Sequence, residues 1–373
     1  MTKTMPEQAS DKPARRLRPL PVHVALANNA IAKMEARGQD GKALVAEMLR
    51  GIKAYQDHPY HRPPNKMPVV WRAGTARLYH CAARRPVAAA VIVPSMINRA
   101  HILDLLPDKS FTRWLAAQGI DVYLLDWGDP AADETAATMD DMIAHRLLPA
   151  IDAAAEQAGR KLPLYGIGYC MGGTLLAAAA VRTDKFAGVT FLASPWDFHA
   201  GDRVLQNHIV AGTPAALQMM ASRATLPVDW IQSVFAAVND ERTVHKFANF
   251  AAMDPRSREA ELFVAVEDWL NDGLDLPAGL ARVCINEWYG ENKPGRGAWV
   301  VDGATVDPAA IKTRALVVAP SRDRLVPAES ALALARSLPD ATVLNPDIGH
   351  IGMMTGRGAE GVWGRVAAWV KQG

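Results

Sequence analysis

Cysteine is scarce in this chain. Among 373 residues there are three, Cys81, Cys170 and Cys284, far apart and without paired spacing. That excludes a disulfide framework and argues against a zinc site. Long apolar runs are missing as well, since none reaches the roughly 18 residues needed to span a bilayer. Charge of one sign is not in excess either: the formal net charge is +2, without the basic footprint that nucleic-acid binding requires. No internal repeat is visible. The pair Arg15-Arg16 could suggest an export signal, but Arg18, Pro19 and Pro21 follow where a long apolar segment should stand. Residues 1–21 therefore read as a disordered basic leader, and the protein as cytoplasmic.

What is present begins with Leu164-Tyr-Gly-Ile-Gly-Tyr-Cys-Met-Gly-Gly-Thr174, a short apolar strand, a glycine-flanked cysteine and the start of an alanine-rich helix. This is the pattern of a nucleophile elbow, in which the nucleophile occupies a strained strand-to-helix turn. Gly168 and Gly172, two residues before and after Cys170, would then be needed because a side chain there would clash. The plainer reading is a glycine-rich turn around a buried thiol. A base and an orienting acid tip the balance, and both occur in the chain order of α/β-hydrolases: Cys170, Asp323, His350. Asp323 falls just past the C-terminal end of the apolar strand that starts at Ala315, where an open parallel sheet keeps its ligands. His350 lies between two glycines in a loop after a strand at Thr342, a poor setting for a core histidine.

The continuous apolar runs at Val87–Pro94, Ile120–Trp127, Leu164–Tyr169, Gly188–Pro195 and Ala315–Ala319, separated by helical stretches, call for a parallel sheet covered on both faces. The fold class is α/β, an α/β-hydrolase fold with a mostly parallel sheet and a helical cap insertion. Residues 66–198 and 301–373 form the catalytic domain, and 199–300 the cap. Residues 22–65 form an N-terminal helical segment whose Leu44, Val45, Met48, Leu49, Ile52 and Tyr55 make one apolar face, expected to pack on the catalytic core.

In this setting the Cys170 thiol would react as a thiolate, with its pKa lowered by the following helix and by His350. His350 would take the proton and Asp323 would hold the imidazole. The oxyanion of a tetrahedral intermediate would be met by the backbone amide of Met171 and by that of Met96 or Ile97 in the loop after the first core strand. Exchange between a thiol and a thioester is nearly balanced in energy, so cysteine in place of serine suits an acyl-thioester donor such as an acyl-coenzyme A. His101 and Asp104 lack a third ligand, which makes a metal the weaker reading there. No metal or cofactor is called for, the coenzyme A thioester being the substrate.

Six blocks together resemble the polyhydroxyalkanoate synthases: Val93-Pro-Ser-Met-Ile-Asn-Arg-Ala-His-Ile-Leu-Asp-Leu105, Val122-Tyr-Leu-Leu-Asp-Trp-Gly128, Gly168-Tyr-Cys-Met-Gly-Gly173, Ser194-Pro-Trp-Asp-Phe198, Asp323-Arg-Leu-Val-Pro327 and Gly349-His-Ile-Gly352. The resemblance implies that Cys170 carries a growing hydroxyacyl chain as a thioester and that His350 activates it. It also implies that Asp323 helps activate the hydroxyl of the incoming unit. The expected reaction polymerises (R)-3-hydroxyacyl-coenzyme A and releases coenzyme A. The alternative is a non-polymerising thiol hydrolase, a polyester depolymerase or a thioesterase, because fold and triad do not fix the acceptor. Asn98, Arg99, Trp230, Phe235, Phe263 and Trp269 are the expected substrate contacts. The short N-terminal region looks like that of the small catalytic subunits of two-component synthases, which implies a second subunit and contact with a polyester chain or granule surface, and leaves a homodimer open. Where that family usually has Pro-Pro-Trp-Ile-Asn-Lys-Tyr-Tyr, this chain has Pro94-Ser-Met-Ile-Asn-Arg-Ala-His101, with fewer aromatic side chains.

Overall fold

The structure is a computed structural model that describes residues 17, 20–38, 40–133, 137–238 and 240–372. Most of the expected leader, 1–16 with 18 and 19, lies outside the described residues. The chain divides into two compact units, one made of the residues up to Tyr60 with Asp240–Val264, the other of His61–Asn239 with Ala265–Gly373.

The larger unit is built on an eight-stranded sheet. Its strands are β1 (Val69–Ala73), β2 (Ala76–Cys81), β3 (Ala88–Val93), β4 (Ile120–Asp126), β5 (Leu164–Tyr169), β6 (Phe186–Leu192), β7 (Arg314–Val318) and β8 (Ala341–Leu344). They lie in the order β1-β2-β4-β3-β5-β6-β7-β8. The first two run antiparallel, as a hairpin whose second strand pairs with β4, and every later pairing is parallel. β3 and β5 are buried at every position, which is why these strands read as unbroken apolar runs rather than alternating ones. The helix Phe111–Ala117 starts where Ser110 caps it, the hydroxyl accepting from the Arg113 amide at 2.9 Å. The closing helix Ala359–Lys371 buries Val362, Val366, Trp369 and Val370.

The smaller unit is helical. Helix Leu20–Glu35 is followed by helix Gly41–Asp57, whose N-terminus Asp40 caps by accepting from the Ala43 amide at 2.9 Å. Met48, Ile52 and Tyr55 are buried, with Val244, Phe247 and Phe250 of helix Asp240–Ala251 in the same core. The backbones meet closely at Gly51, where an added Cβ would come within 1.8 Å of the Phe247 carbonyl oxygen. Two expectations change here. The apolar face of helix Gly41–Asp57 finds its partner in residues 240–264 instead of the α/β core, and Leu49 is 58% exposed. The stretch 199–300 is helical, yet 240–264 leaves it to join the N-terminal helices.

Candidate active site

β5 ends at Tyr169, and helix Met171–Ala180 begins one residue later. Cys170 makes the turn alone, at φ 56° and ψ −133°, a left-handed conformation that costs a non-glycine residue on the order of 1–3 kcal/mol. Its amide donates to the Leu192 carbonyl at 2.9 Å and its carbonyl accepts from the Gly173 amide at 2.9 Å. The flanking glycines have a steric reason: a Cβ on Gly168 would meet the Gly173 Cα at 2.4 Å, and one on Gly172 would meet the Val93 and Pro94 carbonyl oxygens at 2.2 and 2.5 Å. The turn leaves Cys170 part-exposed, whereas Cys284 is buried and burial pushes its thiol pKa far up.

Asp323 and His350 converge on this turn from the loops after β7 and β8. One carboxylate oxygen of Asp323 accepts the amides of Leu325 and Val326 at 2.9 and 2.8 Å, and the other meets His350 Nδ1 at 2.6 Å. The Asp323 side chain has no exposed surface. With Nδ1 donating to the carboxylate, Nε2 is the ring nitrogen left to act on a partner, and the charge of Cys170 is among those that raise the imidazole pKa. Burial pulls the imidazole pKa down, but the charges and hydrogen bonds of Asp323 and Cys170 outweigh it and hold His350 well above its ordinary value. Tyr169, buried beneath, lays its ring 5.1 Å from that of His350 and donates its hydroxyl to the His350 carbonyl at 3.3 Å.

The loop after β3 supplies the other wall. Trp127 donates its indole N–H to the Pro94 carbonyl at 3.0 Å, so that carbonyl is held between the indole and Gly172. Of the two amides weighed as oxyanion donors, that of Ile97 donates to Ser95 Oγ at 3.2 Å and is taken up within the loop. The Met96 amide has no partner among the described residues. The Met171 amide is in the first helical turn, where no intrahelical acceptor exists.

The expected substrate contacts separate. Asn98 is half-buried, and its side-chain oxygen is buried without a partner. Arg99 forms an ion pair with Asp272 at 3.0 Å, off the direction of a straight hydrogen bond, and its carbonyl accepts the Trp269 indole N–H at 2.8 Å. Trp269 is thus a buried strut rather than an open wall. Trp230 and Phe235 are half-buried against the α/β core. Phe263 belongs to the smaller unit, where it is stacked on Phe250 at 4.3 Å. Sequence reasoning assigned no role to Trp127 or Tyr169, although both stand inside the quoted blocks.

Asp197, the other carboxylate near a strand end, is occupied in a turn, accepting from the His199 amide at 3.0 Å and the Asn292 side-chain amide at 2.8 Å. Asp104 is buried and paired in two-point fashion with Arg113 at 2.7 and 3.1 Å. Burial, with the nearby Arg62 and Arg99 charges, pushes the His101 pKa down to about 3.

Residues 101–357 match the pattern of the alpha/beta hydrolase fold, over more than half of the chain. The chain belongs to the α/β-hydrolase fold family. It is 28% identical over 316 residues to the poly(3-hydroxyalkanoate) polymerase subunit PhaC of Haloferax mediterranei, a match covering 83% of this chain and 64% of that protein. The subunit of the same name from Allochromatium vinosum is 29% identical over 289 residues, 76% of this chain and 80% of that one. The resemblance to polyhydroxyalkanoate polymerase subunits therefore extends over most of the chain, while the chain spans just under two thirds of the Haloferax protein. Among solved structures, a thermophilic esterase from Thermogutta terrifontis superposes with a TM-score of 0.51 at 16% identity, covering 83% of this chain and 99% of the esterase. At that identity the likeness concerns the fold alone. No helix among the described residues is long and apolar enough to cross a membrane.

Proposed function

We propose that this α/β-hydrolase-fold protein is an acyltransferase that builds polyester from (R)-3-hydroxyacyl-coenzyme A through a thioester on Cys170. The observation that carries the reading is a part-exposed thiol on a strained elbow together with a histidine held through Nδ1 by a shielded carboxylate, its pKa raised by Asp323 and by Cys170. The extended resemblance to polymerase subunits supports it.

His350 Nε2 takes the thiol proton, and the thiolate attacks the thioester carbonyl. The oxyanion is met by the Met171 and Met96 amides. Collapse breaks the bond to coenzyme A, whose sulfur takes the proton from His350. The hydroxyl of a second hydroxyacyl unit then gives its proton to His350 and attacks the Cys170 thioester, forming an ester and freeing the thiolate. Both Asp323 oxygens are already engaged, so Asp323 acts on the imidazole and does not touch the incoming hydroxyl. This departs from the role the family resemblance implied. A raised imidazole pKa suits the proton acceptor in both half-reactions.

The test is the product. Purified protein incubated with 3-hydroxybutyryl-coenzyme A, alone and with a candidate second subunit, should release coenzyme A and form polymer in excess of free hydroxy acid. Release that depends on the added subunit supports a two-component enzyme at a granule surface. Free acid equal to coenzyme A under both conditions rejects the polymerase in favour of a thioesterase.

A further inference from the structure

Tyr169 is the last residue of β5 and the immediate neighbour of Cys170. Its side chain is buried, with 2% of the residue exposed. His350 stands 181 positions further on, in the loop after β8, yet the two residues meet. Their rings lie 5.1 Å apart at an interplanar angle of 34°, and the Tyr169 hydroxyl donates to the His350 carbonyl at 3.3 Å. No other donor among the described residues reaches that carbonyl. The turn around it closes instead through its neighbours: the Gly349 carbonyl accepts from the Met353 amide at 2.9 Å, and that of Ile351 from Met354 and Thr355 at 2.9 and 3.1 Å. Asp323 holds the imidazole at Nδ1. A single hydrogen bond there leaves the ring free to swing about the contact, and it does not fix the backbone that carries the ring. Tyr169 restrains both, from the position next to the nucleophile. Burial, with the charges of Cys170 and Asp323, pushes the phenol far above its ordinary range, so its hydroxyl is a protonated donor. A buried hydroxyl already given to a carbonyl is not a group that meets substrate.

We propose that Tyr169 is a positioning residue whose ring and hydroxyl together set where the His350 imidazole stands relative to Cys170. The inference rests on the reading given above, in which His350 is the base for the Cys170 thiol. The hydrogen bond is long for a hydroxyl donor, so the ring contact carries at least as much of the hold. Loss of the hydroxyl alone should lower kcat about three-fold, and loss of the aromatic ring as well about ten-fold. KM should stay within about two-fold in both cases, because the acyl donor does not touch Tyr169.

The test compares Tyr169→Phe, Tyr169→Leu and His350→Gln with wild type in the full chain. Alkylation of Cys170 by iodoacetamide is followed against pH by peptide mass spectrometry, and coenzyme A release from 3-hydroxybutyryl-coenzyme A gives kcat and KM. Thermal melts check folding, and Tyr169→Phe, which loses one oxygen, still reads the hydroxyl if Tyr169→Leu does not fold. An imidazolium beside the sulfur favours the thiolate, so the alkylation profile should move to higher pH in Tyr169→Phe and further in Tyr169→Leu, toward that of His350→Gln. Phenylalanine should recover part of the kcat that leucine loses. Melting temperatures that fall while the profile and kcat keep their wild-type values overturn the inference, as does a change confined to KM. Identical profiles for wild type and His350→Gln overturn the pairing of His350 with Cys170, and the inference with it.

Discussion

The two ends of the central sheet offer opposite lessons about what makes a site. Before β3 and β4, at the N-terminal edge of the parallel strands, a groove of about 740 Å³ is lined by Cys81, Arg84, Arg85, Arg113 and Gly119. It has the volume of an ordinary ligand pocket, a thiol and three guanidinium groups. At the C-terminal edge stands Cys170 with His350 and Asp323. Cys81 is part of a regular strand paired with Val122, and burial raises its thiol pKa against the weaker opposing pull of Arg113. Arg113 is already bound to Asp104. Nothing there takes a proton from the sulfur. Cys170 instead stands on a turn that bares it, against an imidazole whose charge is anchored from behind. Volume and positive charge alone do not prepare a thiol for attack; what the proposed chemistry calls for is a strained turn and a held base.

The sharpest way to break that contrast is to exchange the thiols. Cys170→Ala should lower acyl transfer by at least about 10³-fold, since the nucleophile is lost, with an unfolding free energy within about 1 kcal/mol of wild type because the strained turn loses only a part-exposed sulfur. Cys81→Ala should leave activity within about two-fold. Substantial turnover by Cys170→Ala, or an acyl adduct on Cys81 by peptide mass spectrometry, would put the reactive end of the sheet elsewhere.

A smaller effect sharpens the role of the held base. The folded protein binds the His350 proton more tightly than the unfolded chain does, so that contribution is complete below the unperturbed value of 6.5 and is lost as pH rises through the raised value. The difference in unfolding free energy between wild type and His350→Gln should be widest in mild acid and narrow toward alkaline pH. A gap that widens with pH would mean the imidazole is held neutral. In the same two proteins and in Asp323→Asn, the first acylation should be lost from both variants together, because the carboxylate works through the imidazole.

The smallest effect concerns the loop that faces the elbow. Trp127→Phe removes the hydrogen bond to the Pro94 carbonyl while keeping an aromatic ring, at a cost of about 1 kcal/mol of stability. It should reduce kcat by about ten-fold with little change in KM, since a displaced Met96 amide would be felt in the transition state. A change in KM alone would assign the loop to binding.

Much of this was legible from the residues because the responsible forces are local. A fully buried strand is an apolar run wherever it ends up, and the ends of β3 to β7 each lie within three residues of the runs that announced them. The elbow is a six-residue steric problem with a glycine solution. Asp323 and His350 were readable because strand ends in such a sheet point to one edge. The aromatic residues of the insertion were not readable in this way. Phe247, Phe250 and Phe263 have the spacing of any amphipathic face, and nothing local tells such a face which surface will bury it. Burial was settled by residues near position 50, about 200 positions away.

The sequence by itself therefore determined the α/β sheet and the elbow at Cys170, and pointed to the strand-end loops from which Asp323 and His350 pair, because each follows from steric and hydrophobic demands satisfied within a few residues. Only the tertiary structure decided that 240–264 joins the N-terminal helices, and that Ile97's amide is spent within its own loop while Met96's has no partner among the described residues. Those outcomes depend on which distant groups compete for the same surface or the same hydrogen bond, and that competition is resolved only when the whole chain has packed.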